Sequence, residues 1–198
     1  MKLTARIYDA LPARYYQPAY RHIAASMDIR QGALLDVGCG PGWVSIHAAA
    51  GNPELDCVGI DTSAEMIRIA RRNAAGACTF KQMDAARIAY PDATFERIVA
   101  VQTMHHWKDA AAILGELHRV LKPGGRCDLL DADADSGHIE GWIERTGPWP
   151  PEFWVRRMWR KYSLGEAGFD AMAHGARCLD WKVEVGALGF YRRIRCWS

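Results

Sequence analysis

Leu34-Leu35-Asp36-Val37-Gly38-Cys39-Gly40-Pro41-Gly42-Trp43 reads as a buried strand, a glycine turn and the start of a helix. Ala33, Leu34, Leu35 and Val37 form a short apolar run, the pattern of a central parallel strand covered on both faces. Gly38, Gly40 and Gly42 alternate after it. Missing Cβ atoms let the backbone turn sharply and let a ligand approach it closely. A helix from Val44 to Ala50 follows, and its first free N–H groups point at whatever sits over the turn. The dinucleotide fingerprint is G-x-G-x-x-G, but here Trp43 stands where its last glycine belongs. Asp36 at the strand end repels phosphate and suits a cationic ligand. The alternative is that Asp36 caps the helix and the glycines only make a tight turn.

The 198 residues are enough for one domain with a single large core, and 49% are hydrophobic, ordinary for a globular protein. No apolar run is long enough to cross a membrane, and Met1 to Arg6 lacks the apolar core of a signal peptide. A cytoplasmic protein is expected. The cysteines contain no C-x-x-C pair, so no metal site is expected; they read as small core residues in a reducing compartment. Net charge is +2, and the basic groups Arg156-Arg157…Arg160-Lys161 and Arg192-Arg193…Arg195 read as solvated faces rather than a nucleic-acid surface. Oligomeric state is not readable.

Residues 1–30 form an N-terminal cap segment and residues 31–198 the main domain. In the cap, Tyr8, Tyr15, Tyr16 and Tyr20 are dense, Pro12 and Pro18 act as breakers, and a helix is predicted from Ala19 to Met27. Cys57 to Ile60 is the second strand, with Asp61 at its end, about 20 residues past the glycine turn, where nucleotide folds place an acid for ribose hydroxyls. Thr62-Ser63-Ala64-Glu65 opens a helix with a capping-box pattern, Ser63 or Thr62 as cap, and Gly76 ends it. Cys78 to Phe80 is a short third strand leading to Met83-Asp84-Ala85. The fourth, Phe95 to Val101, runs out into Gln102-Thr103-Met104-His105-His106-Trp107, and strand ends of this kind face the ligand in open α/β sheets. A helix over Lys108 to Leu121 ends in a tight turn at Lys122-Pro123-Gly124-Gly125, and Arg126 to Leu130 is the fifth strand. Gly189 to Trp197 is predicted as a final antiparallel edge strand. Between them lie an acidic run, Asp131 to Asp135, and a Pro-broken aromatic segment holding Trp142, Trp149, Trp154 and Trp159.

The D-x-G-x-G-x-G turn, Gly59-Ile60-Asp61-Thr62-Ser63, "HHW-x-D" and "LHRVLKPGGR" together resemble the class I S-adenosylmethionine (SAM)-dependent methyltransferases. The match is to the small-molecule branch that includes ubiquinone- and menaquinone-biosynthesis enzymes, and it runs from about residue 30 to 132. The resemblance implies a doubly wound α/β fold with a mostly parallel seven-stranded sheet and an antiparallel final strand. It implies SAM bound by Asp36, Gly38, Gly40, Gly42, Asp61, Thr62, Met66, Asp84, Ala85 and Gln102. Asp61 would take the ribose, Asp84 and the Ala85 backbone the adenine, and Met66 would pack near the adenine, its alternative being ordinary core.

The expected reaction is methyl transfer to a small molecule. His106 and His105 are the candidate bases, since imidazole takes a proton near neutral pH; packing against the cofactor is the alternative for each. Tyr8, Tyr16, Trp107, His138, Trp142 and Trp154 are the candidate substrate contacts, an aromatic set suited to a flat, apolar or cationic acceptor. The acidic run could take an amine or a divalent metal but has no ordered ligand set. Other readings are a protein or RNA methyltransferase, a non-catalytic SAM-binding scaffold, and an NAD-dependent oxidoreductase. The absent N-P-P-[YF] tetrapeptide, the three retained acids and the absent fingerprint glycine argue against these in various ways.

Overall fold

A computed structural model describes residues 12–132, 164, 166–175, 182–185 and 191–197. Tyr8, His138, Trp142 and Trp154, and the acids Asp133 and Asp135, lie outside the described residues. The elements in chain order are α1 (Pro12–Ser26), β1 (Gly32–Val37), α2 (Trp43–Gly51), β2 (Leu55–Asp61), α3 (Ala64–Ala74), β3 (Thr79–Gln82), β4 (Phe95–Val101), a 3₁₀ turn (Met104–His106), α4 (Ala110–Val120), β5 (Leu121–Ala132), α5 (Glu166–Gly175), β6 (Lys182–Val185) and β7 (Tyr191–Trp197).

The strands lie in the order β3-β2-β1-β4-β5-β7-β6. β1 pairs in parallel with β2 and β4, β2 with β3, and β4 with β5; β7 pairs antiparallel with both β5 and β6. The α/β class and the parallel sheet are as the sequence implies. The predicted position of the last strand is not: β7 is interior, and the short β6 takes the sheet edge.

β1 shows why the sheet is covered on both sides. Leu34 packs with Ala24 of α1, with Met27 just after it, and with Val44 and Ala48 of α2. Leu35 and Val37 point to the other face, among Ile113, Leu114 and Leu117 of α4. Leu34 and Leu35 are fully buried, and each such side chain contributes roughly 1.5–3 kcal/mol. A third cluster seats α3 through Ile67, Ala70 and Ala74 on Phe80 of β3.

Four local readings are corrected. Pro18 does not break the cap helix; it lies exposed inside α1. An interior proline costs about 3 kcal/mol, but Tyr16, Ala19, Tyr20, Ile23, Ala24 and Met27 form a buried stripe whose combined burial outweighs it. The α3 cap is Ser63, whose hydroxyl accepts the Met66 N–H at 3.3 Å; Met66 therefore occupies the third helical position and the Thr62–Glu65 box does not form. The left-handed residue that ends α3 is Ala75, with Gly76 following it. Finally, Leu121 is already strand, paired with Phe95, and Lys122 to Gly125 bulge out before pairing resumes at Arg126 and Arg97.

Candidate functional site

The β1 and β4 neighbours carry the chain away in opposite directions across the sheet, so their C-terminal ends open a crevice, the usual ligand seat of such folds. The glycine turn lines it. Gly38, Gly40 and Gly42 have φ of 65°, 51° and 83°, a region that side chains disfavour. Their surroundings differ. A Cβ on Gly38 would lie 2.2 Å from Thr103 Oγ1, and one on Gly42 would lie 2.7 Å from Phe80 Cζ. These two positions need glycine for close packing. A Cβ on Gly40 would meet no heavy atom of the described residues within 4 Å, so among them the turn presents bare backbone there.

Asp61, at the end of β2, grips that turn. Its Oδ2 accepts the Gly40 N–H at 3.0 Å and its Oδ1 accepts the Ser63 N–H at 2.8 Å. Burial raises its carboxyl above the ordinary range, opposed by those two backbone donors and by nearby His106. Each oxygen keeps a further lone pair for a ligand hydroxyl. Asp84 stands exposed at the end of β3, its Oδ1 accepting the Ala86 N–H at 2.9 Å. Ala85 packs against the α4-side core. Met66 is half-buried on the first turn of α3. Thr62 is exposed, and its carbonyl accepts from Gln82 Nε2 at 3.0 Å.

Asp36 is 2% exposed and turns toward α2, where Oδ2 accepts the Ser45 hydroxyl at 2.7 Å and the Ser45 N–H at 3.2 Å. The carboxylate thus holds the first turn of that helix, favourably placed at its N-terminus. Burial nonetheless pushes its carboxyl up to about 6.

The loop after β4 forms the other wall. Gln102 adopts a left-handed φ of 53°, a strained conformation for a non-glycine residue. Its N–H reaches the Leu130 carbonyl at 2.9 Å, and its Oε1 accepts the Tyr20 hydroxyl of α1 at 3.3 Å. The 3₁₀ turn that follows carries both histidines. His105 Nδ1 lies 3.0 Å from both oxygens of Asp131, and His105 Nε2 lies 3.1 Å from His106 Nε2. Trp107 is half-buried and packs against the α4-side core, and Tyr16 is buried with its ring 5.9 Å from that of Tyr20. Among the described residues no group of three His, Cys, Asp or Glu could hold a metal ion, and no helix is long and apolar enough to cross a membrane.

Residues 34–125 match the family described as methyltransferase domain. Over this stretch the chain is similar to methyltransferases. The 27-O-demethylrifamycin SV methyltransferase of Amycolatopsis mediterranei is 35% identical over 55% of this chain and 42% of its own length. The ubiquinone/menaquinone biosynthesis C-methyltransferase of Desulfotalea psychrophila is 31% identical over 59% of this chain and 48% of its own. The chain thus spans about half the length of these relatives. Its fold matches a Methanococcus maripaludis protein assigned as a SAM-dependent methyltransferase, with TM-score 0.83 and 22% identity over 100% of this chain and 93% of that one.

The methyltransferase domain implies SAM as cosubstrate, and the residues present suit it. Open backbone at Gly40 accommodates close approach, Asp61 offers carboxylate oxygens beside it, and Asp84 marks the adjoining strand end. Two residues that touch the wall of the crevice, Tyr20 through Gln102 and Asp131 through His105, were not singled out by sequence. Tyr20 was one tyrosine among four, and Asp131 was one acid of a run; only its place at the end of β5 hinted at the site.

Proposed function

We propose that the protein transfers a methyl group from SAM to a small-molecule acceptor. The observation that carries this is the open backbone at Gly40, held by Asp61 and lying across the β1–β4 crevice from the two-histidine turn. SAM, when bound, supplies a methyl group on a sulfonium that leaves readily. The chain's own task is then to align two molecules and exclude water. Asp61 holds the ribose hydroxyls, Asp84 and the Ala85 backbone the adenine edge, and Met66 lies against the ring. Gln102 and Thr62 line the same seat, and Asp36 adds negative charge behind the glycine turn. His106, supported by His105, takes a proton from the acceptor where it has one to lose. The described part of the N-terminal segment covers the crevice through α1, which Tyr20 ties to Gln102. Tyr8, His138, Trp142 and Trp154 are the acceptor contacts that the sequence offers outside the described residues.

The test uses methyl-labelled SAM with an extract of the source organism, products being separated by size. Label in small metabolites is the expected outcome; label in protein or RNA would reassign the acceptor, and SAM binding with no transfer would favour the scaffold reading. In parallel, Asp61→Ala should weaken SAM binding by about 1–3 kcal/mol in calorimetry, while His106→Ala should slow turnover and leave SAM affinity nearly unchanged.

A further inference from the structure

We propose that Asp131 is a positioning residue that, through His105, makes Nδ1 of His106 the nitrogen that accepts the acceptor's proton. This rests on the methyl-transfer reading above and deepens it.

The argument is one of donors and acceptors. Asp131 closes β5 with a side chain 0% exposed. Its Oδ2 accepts the His105 N–H at 3.2 Å and its Oδ1 accepts the Ala132 N–H at 2.9 Å. A carboxylate can only accept, so the ring nitrogen between its oxygens, His105 Nδ1, must carry hydrogen. In a neutral His105 the lone pair is then on Nε2. That atom faces His106 Nε2 at 3.1 Å. Two lone pairs or two N–H groups would repel at this distance, so one hydrogen lies between them, and it belongs to His106. The remaining lone pair of the neutral pair is on His106 Nδ1.

The side chain of His105 is 8% exposed, whereas His106 is exposed. The buried end of the chain is thus the carboxylate and the accessible end is the base. In the step, the acceptor's X–H bond breaks, the electron pair stays on X, and the proton binds His106 Nδ1. The resulting imidazolium donates through Nε2 to His105, whose Nδ1–H still donates to Asp131. The base recovers by releasing the proton to water. Among the described residues, Asp131 faces this cation through His105, and Asp61 of β2 interacts with His106 by charge. Arg192 of β7 is the register partner of Asp131. Such a relay suits acceptors that must lose a proton on methylation, such as a hydroxyl or an acidic carbon, rather than those with a free lone pair and no proton to shed.

The test is ¹⁵N NMR of the histidine-labelled full chain without donor or acceptor. Spectra of His105→Gln and His106→Gln assign the signals. Expected are an Nδ1–H tautomer at His105 and an Nε2–H tautomer at neutral His106. In Asp131→Asn the titration midpoint of His106 should fall by about one pH unit, since a charge that favours imidazolium is gone, and Asp131→Glu should recover part of it. An Nε2–H tautomer at His105, or an unmoved midpoint in Asp131→Asn, would overturn the proposal. Should Asp131→Asn fail to fold, the wild-type tautomers decide alone. Wrong tautomers with methyl transfer intact would defeat this inference; correct tautomers in a chain that transfers no methyl would defeat the function proposed above.

Discussion

Placing alanine at each glycine of the turn separates the residues that hold the fold from the one that receives the ligand. All three have positive φ, so each substitution carries roughly 1–2 kcal/mol of left-handed strain. At Gly40 that is the whole cost among the described residues, because the new Cβ meets none of their heavy atoms within 4 Å. For a chain of this size it corresponds to a melting temperature lowered by about 2–8 °C. At Gly38 the Cβ would sit 2.2 Å from Thr103 Oγ1, far inside van der Waals contact, so overpacking adds roughly 1–3 kcal/mol. Gly38→Ala should therefore melt clearly earlier than Gly40→Ala. Affinity should show its own loss. In Gly40→Ala the methyl group projects into the space proposed for SAM, and displacing the ligand by an overlap worth about 2 kcal/mol weakens binding roughly 30-fold. Differential scanning calorimetry and SAM titration on the same samples give both numbers. Native SAM affinity in Gly40→Ala would refute the placement of the cofactor over this backbone. Equal melting of the two variants would refute the packing account of Gly38.

Two further outcomes follow from local chemistry. The Asp36 carboxyl is raised to about 6 by burial, so the folded state holds its proton more tightly than the unfolded chain does. Its contribution is present below about pH 4 and is lost as pH rises to about 6, a change of roughly 3 kcal/mol; Asp36→Asn should remove that slope from the pH dependence of urea unfolding. Ser63→Ala should cost about 1 kcal/mol by removing the α3 cap, while Thr62→Ala, at an exposed position, should leave the denaturation midpoint within error.

The parts legible in the sequence are those set by short-range sterics. The apolar run before three alternating glycines specifies a buried strand and a turn whatever surrounds them, and Asp61 follows at the end of the next strand by the same logic. Where local patterns misled, a tertiary contact outweighed them. Pro18 reads as a breaker until the buried face of α1 is laid on the sheet. Ser63 and Thr62 are equal as caps until the helix takes its register.

Partners were the part that sequence alone left open, because a side chain's partner depends on which strands lie side by side. Asp36 reads equally well as a ligand's counter-charge or a helix anchor, and α2 folding back over β1 put Ser45 against it. Tyr20 and Gln102 are 82 residues apart, and Asp131 and His105 are 26 apart. The residue types at the site were determined by the sequence. Pairing β4 beside β5 in parallel brought the two strand ends together, and that long-range register decided which carboxylate would orient the histidines.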